Sequence, residues 1–104
     1  MCIFCSIIKK EAPADIVYED EALIAFKDIH PKAPIHILVV PRIHIASLSD
    51  VGGDDRTILA EMLYAAVKIA RDQKIDEGYK VVFNVGKKGG QVIAHLHLHL
   101  LGGF

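Results

Sequence analysis

The chain has 104 residues, a formal net charge of −1 at pH 7 and a hydrophobic fraction of 52%. This length and composition predict one folded domain over residues 1–104 and exclude a disordered chain. The near-neutral charge, without a long basic run, argues against a nucleic-acid partner, and no apolar stretch reaches the ~20 residues that cross a membrane. Since the N-terminus also lacks a signal-peptide pattern, the sequence predicts a soluble cytoplasmic protein.

Apolar spacing predicts one helix and three strands in the first half of the chain. Helical spacing favours a short helix over Phe4–Lys10, which Pro13 ends. Short apolar and β-branched runs then predict three strands, the first two joined as a hairpin by Asp20-Glu21. We place the strands at Ile16–Glu19, Leu23–Lys27 and Ile35–Val40. Two prolines stiffen the loop 28–34 before the third strand, and a turn of helix is predicted at Ile45–Asp50.

The second half predicts a long helix and two more strands. Asp54 or Asp55 is suited to N-cap the helix, which extends to about Lys74. Its apolar stripe at 3.6-residue spacing consists of Leu59, Met62, Leu63, Ala66, Ile69 and Ala70. A strand, a glycine-rich loop and a last strand follow at Tyr79–Val85, Gly86–Gly90 and Gln91–Leu101. These elements predict an α+β fold, a five-stranded antiparallel sheet with one long and one short helix.

The last strand carries three of the six histidines, at alternate positions. In an extended strand His95, His97 and His99 project from one face, with neighbours ~6.6 Å apart, while the intervening leucines pack on the core. Imidazoles at this spacing can contact one phosphate group or share one metal ion. Since histidine titrates near neutral pH, the row predicts chemistry rather than a solvent face.

The N-terminus carries both cysteines of the chain, as Cys2-x-x-Cys5. In a cytosolic protein such a pair is typical of metal ligands or a redox couple, not of a structural disulfide. A thioredoxin-like motif follows a strand, whereas this pair begins the chain. Zinc takes four nitrogen or sulfur ligands in a tetrahedron, so two further ligands are needed.

The pattern His-apolar-His-apolar-His-apolar-apolar after Gly90-Gln91 resembles the histidine-triad (HIT) superfamily of nucleotide hydrolases and transferases. Further segments also resemble this family, in the same order: Phe26-Lys27-Asp28-Ile29, Pro31, Ala33-Pro34, His36, Val40-Pro41-Arg42, His44, Asn84-Val85-Gly86 and Gly89-Gly90. The chain is most similar to the Hint-type branch, in the bacterial-like form with an N-terminal Cys-x-x-Cys zinc motif. That branch hydrolyses purine nucleoside phosphoramidates and related nucleoside monophosphate conjugates, so the resemblance implies a HIT-like fold and this activity.

The resemblance implies a role for each histidine of the site. His97 would be the nucleophile that attacks phosphorus and forms a covalent nucleotide intermediate, which water then hydrolyses. His95 and His99 would contact the phosphate or the leaving group. His36, on the adjacent strand, would be the fourth histidine of the site.

The resemblance also implies a pocket for a purine nucleotide such as AMP. Asp28 would accept hydrogen bonds from the ribose hydroxyls, and an apolar slot for the base would be formed by Phe4, Ile7, Phe26, Ile29 and Leu38. Asn84 and Gln91 would hydrogen-bond the phosphate region, which the backbone at Gly90 approaches closely. Val92 stands where the Hint-type pattern has a hydroxyl residue near the leaving group, so protonation of that group would be weaker or would rely on His95.

In bacterial relatives with the cysteine pair, the two remaining zinc ligands correspond to His44 and His95. The resemblance therefore implies a structural zinc held by Cys2, Cys5, His44 and His95. This assignment gives His95 two duties. If zinc holds it, His95 would mainly anchor the strand that positions His97.

Several alternatives stay open on the sequence alone. A Fhit-like diadenosine-polyphosphate hydrolase would use the same residues. A regulatory protein that binds nucleotide or zinc without turnover is favoured by Val92. The three histidines of the last strand would alternatively form a metal centre of their own. The resemblance further implies a homodimer, with contacts over Lys80–Val85 and the helix Asp55–Lys74.

Overall fold

The sheet has five strands in the order β1-β2-β3-β5-β4, and every neighbouring pair is antiparallel. The computed structural model describes residues 2–104. Its strands are β1 Ile16–Glu19, β2 Leu23–Lys27, β3 Ile35–Pro41, β4 Tyr79–Val82 and β5 Leu98–Gly102. Its α-helices are α1 Ile3–Ile8 and α2 Arg56–Asp72. The predicted α+β architecture, with one long and one short helix, is confirmed.

The two helices cover opposite faces of the sheet because side chains alternate along each strand. Leu23, Ile37 and Leu98 belong to the core that also contains Met62 and Ile69 of α2. The intervening strand residues, such as Phe26 and Leu38, pack with Phe4 and Ile7 of α1. No described helix is long and apolar enough to cross a membrane.

Both helices are shorter than predicted at their C-terminal ends. Helix α1 stops at Ile8 because Lys10 adopts a left-handed backbone conformation with φ of 61°, and Lys74 after α2 does the same with φ of 60°. Asp55 occupies the N-cap position of α2, but its carboxylate accepts a hydrogen bond from Gly52 N–H at 3.0 Å. The inclusion of Leu63 in the buried stripe was wrong, since its side chain is 48% exposed.

The predicted last strand is too long at its N-terminal side. Strand β5 begins at Leu98, so His95 and His97 precede it and do not stand in one regular strand with His99. The pairing with β3 stops at Val39↔Leu98, since Pro41 has no N–H for a further ladder bond and Leu96 N–H donates to Ile45 O. Strand β4 ends at Val82, three residues earlier than predicted, since its pairing with β5 stops at Val82↔His99. The predicted helical turn at 45–50 is a 3₁₀ turn at residues 48–50.

Gly102→Ala is expected to destabilise the fold by roughly 1–3 kcal/mol, because the added methyl group overpacks the core. A Cβ at Gly102 would lie 2.5 Å from Cδ1 and 3.1 Å from Cβ of Ile75, which is buried. Urea unfolding of the purified variant measures the change. Gly53→Ala is the matched control, since nothing lies within 4 Å of its added Cβ. Equal unfolding midpoints for the two variants would contradict the expectation.

Candidate active site and metal centre

A cavity of about 570 Å³ opens between α1, the chain that follows it, the loop after β2 and the residues around the histidines. This volume is typical of small-molecule sites. It is lined by all but one of the predicted nucleotide-binding residues: Phe4, Ile7, Phe26, Asp28, Ile29, Leu38, Asn84, Gly90, Val92, His97 and His99. The exception is Gln91. The fold thus brings together residues that are up to 95 positions apart in the sequence (4 to 99).

His97 is buried at the cavity, and its hydrogen bond defines its tautomer. Its Nδ1 lies 2.7 Å from the carbonyl oxygen of His95. Because a carbonyl only accepts, Nδ1 carries the proton and Nε2 keeps its lone pair in the neutral ring. Burial lowers the pKa of His97, which favours this neutral form. The edge of His97 also packs against Phe4, with ring centroids 5.1 Å apart.

A second chain of hydrogen bonds defines the tautomers of His36 and His99. The backbone N–H of Lys32 donates to His36 Nδ1 at 3.0 Å, so the proton of the neutral His36 ring is on Nε2. That nitrogen lies 2.9 Å from His99 Nδ1 and 3.4 Å from Asp28 Oδ2. His99 Nδ1 therefore accepts, and His99 presents an N–H at Nε2. The amide nitrogen of Asn84, Nδ2, lies 3.4 Å from that atom, and since both atoms donate, both N–H groups stay available to an acceptor.

His95 is fully buried, and the structure does not place it among the residues that line the cavity. Its Nε2 donates to the carbonyl oxygen of Pro41 at 2.8 Å, so its Nδ1 keeps a lone pair. Burial lowers the pKa of His95, which also favours the neutral ring. His95 therefore has two contacts with separate parts of the structure: its carbonyl orients His97, while its Nδ1 points to the cysteine pair.

The four predicted zinc ligands form one cluster. Their donor atoms, Sγ of Cys2 and Cys5 and Nδ1 of His44 and His95, all lie within 4.8 Å of one another. Three of the four sulfur–nitrogen separations are 3.3–3.6 Å, and the two nitrogens are 3.1 Å apart. A tetrahedral zinc holds such donors about 3.3–3.6 Å apart. The Pro41 hydrogen bond leaves His95 Nδ1 free to ligate, so the donor set fits zinc.

A second group of potential ligands, Asp28, His36 and His99, fits a metal less well. A metal on His36 Nε2 would move its proton to Nδ1, where the N–H of Lys32 already donates. This hydrogen bond favours a proton, not a metal, between His36 and His99. Among residues 2–104, no cluster of potential ligands holds more than one of His95, His97 and His99, so the geometry does not support a three-histidine metal centre.

Gln91 lies in the loop beside the cavity, with its side-chain amide bonded to the backbone. Its Oε1 accepts from Gly86 N–H at 2.9 Å, and its Nε2 donates to the carbonyls of Ala46 and Ile93 at 2.7 and 2.8 Å. These bonds hold the glycine-rich loop, in which Gly90 has φ of 89°. The geometry favours a positioning role for Gln91 over the predicted contact with phosphate.

Several residues at the cavity were not predicted from the sequence. They are Ile3, Ala12, Pro13, Ala14, Lys27, His30, Lys32 and Ile93. Most belong to the connection after α1 or to the loop after β2, whose paths local sequence patterns do not define. Val92, which the resemblance singled out, lines the cavity with 89% of its side chain exposed. It adds apolar surface to the rim.

Stability is expected to fall as the pH drops below about 6.5, the pKa of an unfolded histidine. Burial and the neighbouring His97 and His36 lower the pKa of His99 to about 4, with Asp28 opposing and Lys32 contributing. Between these values the unfolded chain binds more protons, so stability is lost as the pH falls from 6.5 towards 4. Urea midpoints at pH 7 to 4.5 should decline less in His99→Gln than in the wild type. Parallel declines would contradict this.

The comparisons with known proteins agree on one family. A family model described as "Scavenger mRNA decapping enzyme C-term binding" matches residues 1–103. A HIT family hydrolase from Legionella pneumophila is 48% identical, with a TM-score of 0.98 over 100% of this chain and 94% of that chain. The chain belongs to the histidine-triad family.

Two further HIT relatives carry informative names. The purine nucleoside phosphoramidase of Escherichia coli is 45% identical over 97% of this chain and 86% of its own length. A zinc-bound histidine-triad protein from Mycobacterium smegmatis is 33% identical, with a TM-score of 0.83 over 97% of this chain and 73% of that chain. The predicted HIT-like fold and the assignment to a family of hydrolases are confirmed.

Proposed function

We propose that this HIT protein hydrolyses purine nucleoside 5′-phosphoramidates, or related nucleoside monophosphate conjugates, at the α-phosphorus. The observation that carries the proposal is the tautomer of His97. The His95 carbonyl holds the proton of the ring on Nδ1, and Nε2 keeps its lone pair at a cavity of nucleotide size. A neutral imidazole with one free nitrogen is the form that attacks phosphorus. The name of the Escherichia coli relative supports the same reaction.

The proposed reaction has two steps. His97 Nε2 attacks the α-phosphorus, a nitrogen–phosphorus bond to His97 forms, and the phosphorus–nitrogen bond to the leaving amine breaks as the amine takes a proton from solvent water. Water then attacks the same phosphorus, releases His97 and gives the nucleoside monophosphate. The N–H of His99 at Nε2 would donate to a phosphoryl oxygen and stabilise the charge that develops there. His36 keeps His99 in that tautomer.

The nucleotide would lie along the cavity from the apolar slot to His97. The base would pack among Phe4, Ile7, Phe26, Leu38 and Ile29, all of which line the cavity. Asp28 would accept hydrogen bonds from the ribose, and its Oδ1 already accepts the N–H of His30 at 2.8 Å, which holds the carboxylate in place. Asn84, next to His99, would donate to the phosphate.

His95 has no direct role in this proposal. Its nitrogens are committed to Pro41 and to the cysteine cluster, so it does not protonate the leaving group. We propose that it ligates a structural zinc together with Cys2, Cys5 and His44. The zinc would link helix α1, the segment after β3 and the segment before β5, and it would hold the carbonyl that orients His97.

Two further expectations belong to this proposal. The chain would act as a homodimer, since β4 is an edge strand with an exposed Val81 and α2 exposes Leu63 and Tyr64. It would work in the cytoplasm, where the free thiols of Cys2 and Cys5 stay reduced.

Incubating the purified protein with adenosine 5′-phosphoramidate tests the function directly, with AMP release followed by chromatography. The proposal predicts catalytic release of AMP, and competition by diadenosine polyphosphates tests the Fhit-like alternative. Tight AMP binding without turnover would contradict the proposal and favour the regulatory alternative.

A further inference from the structure

The charged residues that line the cavity differ in whether they have an ion-pair partner. Among the described residues that line it, two carry ammonium groups, Lys27 and Lys32. Lys27 forms an ion pair with Asp15 at 3.4 Å. Lys32, which lines the same cavity, forms no ion pair within 4 Å among residues 2–104. The one acid among the lining residues, Asp28, pairs with His36 instead.

The backbone holds Lys32 in a defined place beside the histidines. Its N–H donates to His36 Nδ1 at 3.0 Å. Pro31 directly precedes Lys32 and Pro34 follows two residues later, and both prolines restrict the backbone of this loop. The hydrogen bond places the backbone of Lys32 beside His36, whose Nε2 lies 2.9 Å from His99 Nδ1, and Lys32 lines the same cavity as His99. Lys32 therefore lies at the histidine end of the cavity, where the phosphate would bind.

A bound nucleotide brings negative charge that the histidines do not neutralise. His36 and His99 each accept a hydrogen bond at Nδ1, so both rings are neutral in this arrangement. Neutral rings donate hydrogen bonds to phosphate, but they leave its charge uncompensated. An ammonium group without an acidic partner attracts phosphate more strongly than a neutral donor does.

We propose that Lys32 is a specificity-determining residue that compensates the charge of the nucleotide phosphate, so the cavity favours nucleotides with a doubly charged phosphate over singly charged or uncharged analogues. This inference rests on the proposed nucleotide site. The charge of Lys32 also affects turnover. The product AMP is a dianion near pH 7, so Lys32 stabilises bound product more than it stabilises a bound monoanionic substrate. Lys32 thereby strengthens product inhibition.

Calorimetric titration with AMP, the 5′-O-methyl ester of AMP and adenosine tests the proposal, since these ligands carry two, one and no negative charges. In Lys32→Gln, AMP affinity should fall about 3- to 20-fold, the methyl ester should lose less, and adenosine should be unaffected. Lys32→Arg should retain AMP affinity. Added salt should weaken AMP binding to the wild type more than to Lys32→Gln.

Lys27→Gln is the matched control, because it removes a cavity-lining ammonium that already has an acidic partner. We expect less than a twofold change in its AMP affinity. An equal loss of AMP affinity in both lysine variants, an equal loss of adenosine affinity in Lys32→Gln, or no loss at all would overturn the role of Lys32. If the wild type binds neither AMP nor adenosine, the proposed nucleotide function itself fails.

Discussion

His97→Asn is expected to reduce AMP release from adenosine 5′-phosphoramidate by at least about a thousandfold, because it removes the proposed nucleophile and with it the covalent route. Asparagine is close in size but offers no nitrogen lone pair for attack on phosphorus. Its amide N–H still donates to the His95 carbonyl that His97 contacts in the wild type. The variant should therefore fold and keep the cavity, so the loss would reflect chemistry. Steady-state kinetics with purified wild type and variant measure the ratio.

AMP binding separates this result from simple misfolding. His97→Asn should bind AMP within about tenfold of the wild type, since the apolar slot and Asp28 are unchanged. It should also unfold at a similar urea concentration. Turnover within tenfold of the wild type in a folded, AMP-binding variant would exclude His97 as the nucleophile.

The double variant Cys2→Ser, Cys5→Ser is expected to lose the zinc proposed for the wild type, from one ion per chain to none. Half of the donors of the cluster disappear, and serine hydroxyls are poor zinc ligands. The wild-type count should be one and not two, because the hydrogen bond from Lys32 to His36 disfavours a second ion. Atomic emission spectroscopy of dialysed protein gives the count.

His30→Ala is the control for this experiment, since His30 is exposed and lies outside the cluster. It should keep one zinc. One ion retained in the double cysteine variant would contradict the assignment and would favour an ion on the histidines. His44→Ala should also lower zinc affinity, since it removes one of the four proposed ligands.

Strands with strong local patterns were predicted from the sequence to the residue. Ile16–Glu19 and Leu23–Lys27 match β1 and β2, because an Asp-Glu turn between two short apolar runs leaves few other pairings. The two cores follow from the alternation of side chains between the two faces of each strand. The apolar slot of the cavity is formed by residues far apart in the sequence, so local patterns do not predict it. Its members were predicted from the resemblance to the family.

The errors lie where tertiary contacts override the local pattern. The alternating His-Leu sequence predicts a strand through His95, yet Leu96 N–H donates to Ile45 and the strand starts at Leu98. No local signal reports that hydrogen bond. Gln91 bonds to the backbone of three other residues, and Lys32 lies at the cavity through a loop path. Sequence spacing alone predicts neither arrangement.

The covalent intermediate is the central claim, and intact-protein mass spectrometry under acid-free conditions tests it most directly. Rapid mixing with adenosine 5′-phosphoramidate should produce wild-type chains heavier by one adenylyl group. The adduct should also form on His99→Gln, which keeps the nucleophile, and should be absent from His97→Asn. An adduct of equal yield on His97→Asn, or AMP release by the wild type with no adduct at any mixing time, would contradict the mechanism.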